Sequence, residues 1–139
     1  MYINGRFLNH RLSSTTTIEA PNGIKGILFE QFILPLKLPE KQPLISFCNI
    51  GPILVKNQYL YIHDVAVFEN SSWFSKGFAL YYKLMWPILA KRIKKIITVS
   101  NFSKAEIIRY LKVPPDKVKV IYNGVSEDFE LPLNVIVKK

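Results

Sequence analysis

His63 is the residue of this sequence best placed to do chemistry. It ends the run Gln58–His63, which reads as a buried strand, and ligands bind outside the carboxyl ends of parallel strands. A neutral imidazole there could hydrogen-bond a hydroxyl or assist at reacting oxygens. A lone histidine in such a place is more often satisfied without any chemistry, so its type alone does not decide the matter. Other reactive residues carry less. Cys48 ends the apolar run Leu44–Cys48 and reads as a buried, inert thiol. As the single cysteine it excludes a disulfide framework and a Cys-type zinc site. Gly23-Ile24-Lys25-Gly26 lacks the spacing and the Lys-Ser/Thr of a phosphate loop. Arg6, after Gly5, reads as an ordinary loop arginine. No cofactor and no metal are expected.

The elements that would position these residues alternate between strand and helix. Tyr2–Leu8 and Thr15–Ile18 have strand character. A helix is expected from Ile24 towards Leu38, with Ile24, Leu28, Phe32 and Leu36 on its apolar side and Pro35 kinking or ending it. Strands follow at Leu44–Cys48 and Gln58–His63. Phe74–Ile93 reads as a long helix whose apolar face is Phe74, Phe78, Tyr81, Tyr82, Met85, Ile88 and Leu89, bent at Pro87. Lys95–Val99 is a strand. Ser103-x-x-Glu106 is a capping box that opens a helix to Leu111, which Pro114-Pro115 stops. Val118–Tyr122 closes the series at Asn123-Gly124. This alternation predicts an α/β fold, a Rossmann-like parallel sheet with helices on both faces.

Length and charge bound the rest. One domain of 139 residues with 49% apolar residues has material for a core. Its 19 Lys and Arg against 10 Asp and Glu give a net charge of +9, which draws it towards an anionic partner. The charge is spread, and no helix-turn-helix, zinc-finger or RNA-binding motif accompanies it, so no nucleic acid is expected. Lys91-Arg92 and Lys94-Lys95 follow an apolar helix beside Trp73, Tyr81, Tyr82 and Trp86. They read as charge at a helix C-terminus, or as a peripheral contact with an anionic membrane. Phe78–Ala90, the most apolar stretch, falls short of the roughly 20 residues of a membrane span. Without a visible secretory signal, the expected location is cytoplasmic, or peripheral at the inner face of the membrane.

Three stretches carry a family likeness: YIHDVAVFENSSWFSKGFALYYKL (61–84), ITVSNFSKAEIIRYLKVPPDKVKVIYNGV (97–125) and, more weakly, YINGRFL (2–8). From Ile27 to Phe129 the chain resembles the N-terminal, acceptor-side half of a group 1 glycosyltransferase (glycosyltransferase family 4, GT-B fold). The resemblance implies sugar transfer from a nucleotide-sugar donor to a polysaccharide or lipid-linked acceptor, with anomeric retention and no dedicated metal. It implies that His63 lies beside the donor sugar as a catalytic residue. Asp64 would cap the loop or orient the ring, and Ser100 would face the cleft from another strand end; both are expected to bind substrate.

Two departures accompany the likeness. Six residues, Asn9–Ser14, separate the first two expected strands, and a parallel crossover needs about a dozen or more. Either these two strands pair antiparallel or a piece of the domain is missing; the N-terminal domain, residues 1–130, is expected to be shortened near 9–15, with 131–139 a linker or truncated tail. The family's C-terminal donor domain is not in these residues, so the isolated chain is expected to be inactive. The alternative is a non-enzymatic binding module, or the acceptor-side half of a split glycosyltransferase that meets its C-terminal domain in trans. Restored transfer on adding that half would mark the split enzyme.

Overall fold

A computed structural model describes residues 26–39 and 42–124. The expected strands at 2–8 and 15–18, the shortened connection at 9–15 and the tail at 131–139 lie outside the described residues.

Four parallel strands form one sheet: β1 (Leu44–Ser46), β2 (Gln58–Tyr61), β3 (Lys95–Thr98) and β4 (Val118–Val120). Their order in the sheet is their order in the chain. Leu60 lies opposite Ile96, and Ile96 opposite Val118, so one row of apolar residues crosses the sheet. Parallel crossovers are right-handed, and a chain advancing in one direction therefore lays its successive helices on one face. On that face Leu60, Ile62, Ile96 and Val118 form the core with α3 (Lys76–Arg92) and α4 (Asn101–Leu111). The alternate positions Ile45, Tyr59, Tyr61 and Lys119 lie outside this cluster. The expected parallel α/β architecture is present.

The two longest expected helices differ from their sequence patterns in which side they bury. Residues 29–33 form a π-helical turn that runs into α1 (Leu34–Lys37). Leu34 N–H bonds Phe29 O, five residues back, and Pro35 is accommodated early in α1. The wide turn makes room for a residue that lacks an N–H. It also breaks the period: Phe29 is buried, while Leu28, Phe32 and Leu36 face solvent. In α3 the inward residues are Ala79, Trp86, Leu89 and Ala90, with Tyr82 packed against them. Phe78 and Ile88, expected inside, are exposed. The helix continues through Pro87.

β1 is an edge strand of the described sheet. Cys48, expected to be buried, is exposed.

Candidate functional site

Because all four strands are parallel, their carboxyl ends share one edge, where ligands of such sheets bind. β1 exits through Phe47, Cys48 and Asn49. Asn49 adopts a left-handed conformation, φ 60°, which asparagine tolerates better than most residues. Its N–H donates to Tyr61 O (3.1 Å), so the turn folds back onto β2.

β2 ends at Tyr61, two residues before His63. Ile62 N–H still donates to Ile97 O (2.9 Å), and His63 is the first residue past that pairing. It is exposed at the edge. Its N–H donates to Asn49 Oδ1 (2.9 Å), and Nε2 lies 3.1 Å from Phe47 O. A carbonyl oxygen only accepts, so Nε2 carries a proton in this contact, and in the neutral ring the Nδ1 lone pair is left to accept from a ligand. Tyr61 lies beside the imidazole, ring centres 6.3 Å apart, and stacks on Phe47 at 5.0 Å.

Asp64 takes the first of the two roles expected of it. Oδ1 accepts from Ala66 N–H (2.9 Å), closing the turn into α2 (Ala66–Glu69). Its oxygen holds the loop that leaves the strand. A hollow of about 180 Å³ opens beside it, bordered by Asn49, Asp64, Phe74, Phe78, Tyr82 and Trp86. The four aromatic residues form a continuous series: Phe74 stacks on Phe78 (5.3 Å), Phe78 meets Tyr82 (4.5 Å), and Tyr82 meets Trp86 edge-on (4.9 Å). Burial, and after it the Glu30 carboxylate, push the Tyr82 hydroxyl up from its usual range.

Ser100, two residues beyond the end of β3, caps α4: its Oγ accepts from Ser103 N–H (3.0 Å). The capping residue thus lies three positions before the Ser103 expected from the Ser-x-x-Glu pattern. Ser103 is buried in the first turn, and Ser100 Oγ also bonds Ser103 Oγ (3.0 Å). From the same turn Asn101 Nδ2 donates to the Tyr122 hydroxyl beyond β4 (3.0 Å). Among the described residues, no three His, Cys, Asp or Glu side chains gather as metal ligands do.

Asn49 is the residue of this edge that sequence reasoning missed. Its backbone and side chain together hold three neighbours: Tyr61, His63 and the Trp86 indole, whose Nε1–H donates to Asn49 O (2.5 Å). An asparagine just before Ile50-Gly51-Pro52 is the one local signal for such a turn.

Comparison with known proteins bears on the family of the chain. Over 74 residues the chain is 31% identical to the O-antigen chain mannosyltransferase RfbU of Salmonella typhimurium, a match that takes in 53% of this chain and 20% of that protein. The chain therefore corresponds to a small part of that relative. No solved structure matches it. The pattern of Glycosyltransferase Family 4 matches residues 55–129, which includes β2, α3, α4 and β4 with His63, Asp64 and Ser100. That span is more than half of the sequence, and the chain belongs to Glycosyltransferase Family 4.

Proposed function

We propose that this chain is the acceptor-side portion of a sugar-transferring enzyme, and that His63 stands at its reacting centre. The observation that carries the reading is the double fixing of His63. Main chain and ring are both held by the Phe47–Asn49 turn, which occupies Nε2 and leaves Nδ1 for a ligand. Held there, Nδ1 accepts a hydrogen bond from a sugar hydroxyl or takes a proton at the transfer step. Asp64 binds substrate through the oxygen not used by Ala66, and Ser100 does so from the neighbouring strand end. The aromatic series from Phe74 to Trp86 offers apolar ring faces to the C–H face of a sugar.

The donor is a nucleotide sugar, and the mannosyl transfer named for the Salmonella relative makes an activated mannose the first to try. The acceptor is a growing polysaccharide or a lipid-linked glycan. A lipid-linked acceptor brings the domain to the cytoplasmic face of an anionic membrane. The donor half of the reaction comes from a C-terminal family domain, in the same polypeptide or in trans.

The test is transfer of labelled mannose from its nucleotide-activated form to a lipid-linked acceptor, with a family C-terminal half supplied in trans. Transfer that needs both parts, and that falls about a hundredfold or more in His63→Ala, is expected. Turnover by the chain alone would overturn the division of labour. Transfer undiminished by His63→Ala would overturn the role of the histidine.

A further inference from the structure

Trp86 lies within α3 and is almost wholly buried, 3% exposed. Phe68 stacks on it at 5.9 Å, the rings 15° from parallel, and Tyr82 meets it edge-on. Packing of this kind asks only for ring faces, and a phenylalanine would supply them. The indole brings an N–H besides, which a buried site must satisfy. Its partner is Asn49 O (2.5 Å), 37 residues away in the chain, at the turn that leaves β1.

That bond reaches the imidazole in one more step. Asn49 N–H is tied to Tyr61 O and its carbonyl to α3, so the peptide units on both sides of this left-handed residue are fixed. The side chain then has one course to take, and Oδ1 accepts from His63 N–H (2.9 Å). Two residues earlier in the same turn, Phe47 O receives Nε2 of the ring (3.1 Å). With the exit of the turn untied, both contacts would drift. Two hydrogen bonds, from Trp86 to Asn49 and from His63 to Asn49, therefore join the core side of α3 to a ring at the exposed strand edge.

The indole also borders the hollow beside Asp64. One rigid group is thus part of the wall against which a ligand in the hollow rests, and it anchors the turn that holds His63. The distance between ligand and imidazole is set through that group. Placement on this scale matters, since a displacement of about 1 Å costs about a hundredfold in rate.

We propose that Trp86 is a positioning residue, whose indole N–H, acting through Asn49, sets the place of the His63 imidazole. Its bearing on catalysis rests on the sugar-transfer reading; the placement itself does not.

The test reads the ring directly. The sequence holds two histidines, so His10→Gln leaves His63 alone in the nitrogen-15 imidazole spectrum of the full chain. The neutral ring is expected as one tautomer, with its proton on Nε2. Trp86→Phe keeps a ring in the core and drops the N–H, and it should move the signals towards the average of both tautomers. With a family C-terminal half in trans it should lower kcat about tenfold and leave the donor KM within about twofold. Asn49→Gly should do the same, and adding Trp86→Phe to it should do no more, because the two act through one contact. Leu89→Ala removes a fully buried side chain of α3 that has no hydrogen-bonding atom, and it should destabilise the fold without moving the ring signals. If Trp86→Phe does not fold, Trp86→Met carries the same expectations. A mixed tautomer in the parent overturns the proposal, as do ring signals unmoved by the Trp86 variant or moved equally by Leu89→Ala. Ring signals that move while His63→Ala leaves transfer undiminished would uphold the placement and overturn the transferase role of the histidine.

Discussion

Asn49 Oδ1 holds the backbone N–H of His63 at 2.9 Å, across the mouth of two adjacent strands. The bond fixes the first residue beyond the β2 pairing to a turn that β1 supplies, so two strands must be in register before the imidazole is placed. Asn49 meets two demands at once, an acceptor of the right length and tolerance of φ 60°.

These demands separate by substitution. Asn49→Asp keeps both, and its urea midpoint should stay near that of the parent. Asn49→Gly keeps only the backbone freedom, and Asn49→Leu keeps neither. The leucine variant should lose about 1–3 kcal/mol, from the unpaired donor and the strained residue, with glycine between the two. Equal loss in glycine and leucine would show that the side-chain bond alone matters.

Gly51 and Gly77 should respond to alanine in opposite directions. A Cβ on Gly51 would stand 1.8 Å from the Gln58 amide and 2.8 Å from Ser46 Oγ. Gln58 cannot retreat: it is fully buried, its amide nitrogen donating to Pro52 O and Val55 O and its oxygen accepting from Ser46. Gly51→Ala should cost about 1–3 kcal/mol by overpacking. At Gly77, in the first turn of α3, nothing lies within 4 Å. Gly77→Ala should stabilise by a few tenths to about 1 kcal/mol through helix propensity. Denaturant titration of the two variants checks both signs.

Trp73 and Trp86 divide the fluorescence between surface and core. Trp86 is 3% exposed and Trp73 71%. Trp73→Phe should leave a blue-shifted, weakly quenched spectrum and change stability by no more than about 0.5 kcal/mol. Trp86→Ala should cost about 3–5 kcal/mol, because it opens the core and strips the Asn49 carbonyl of its donor. A red, freely quenched emission from the Trp73→Phe protein would contradict the packing of α3.

The strands were legible because each is short and apolar and ends at turn residues: Gln58, Lys95 and Val118 start where the pattern places them. What lay beyond the pattern was phase. Leu28, Phe32 and Leu36 keep a spacing of four, yet a π-helical turn advances the chain by more residues than an α-helical one, and the row rotates outwards. In α3 apolar residues occupy both sides, so periodicity alone could not tell Trp86 inside from Leu84 outside. The cap of α4 slipped by one turn because Ser100 and Ser103 offer the same hydroxyl, and only the β conformation of Ser100 (φ −153°) settles which one caps. His63, Asp64 and Ser100 were singled out by family likeness. Asn49 was not, since one asparagine in a turn carries no trace of three long-range bonds.

Glu69 and Glu30 should respond to acid in opposite senses. The Tyr110 hydroxyl bonded to Glu69, helped by Arg109, holds that carboxyl below its ordinary 4.5. A depressed pKa stabilises the fold above the unfolded value, and that contribution is lost as pH falls through the folded one. Tyr110→Phe keeps the ring on Phe68, 5.3 Å away, and removes the bond. Its melting temperature should lie below the parent's at pH 7, with the gap closing as pH drops below 4.5. Glu30 is pushed the other way, above 4.5 by burial. It destabilises the fold once pH rises through that value, because the buried form resists ionising. Glu30→Gln should therefore melt above the parent at pH 7, and this gap too should close below 4.5. Thermal melts of the three proteins from about pH 3 to 7 read both signs. A Tyr110→Phe deficit that persists at the acid end would assign the tyrosine's worth to packing.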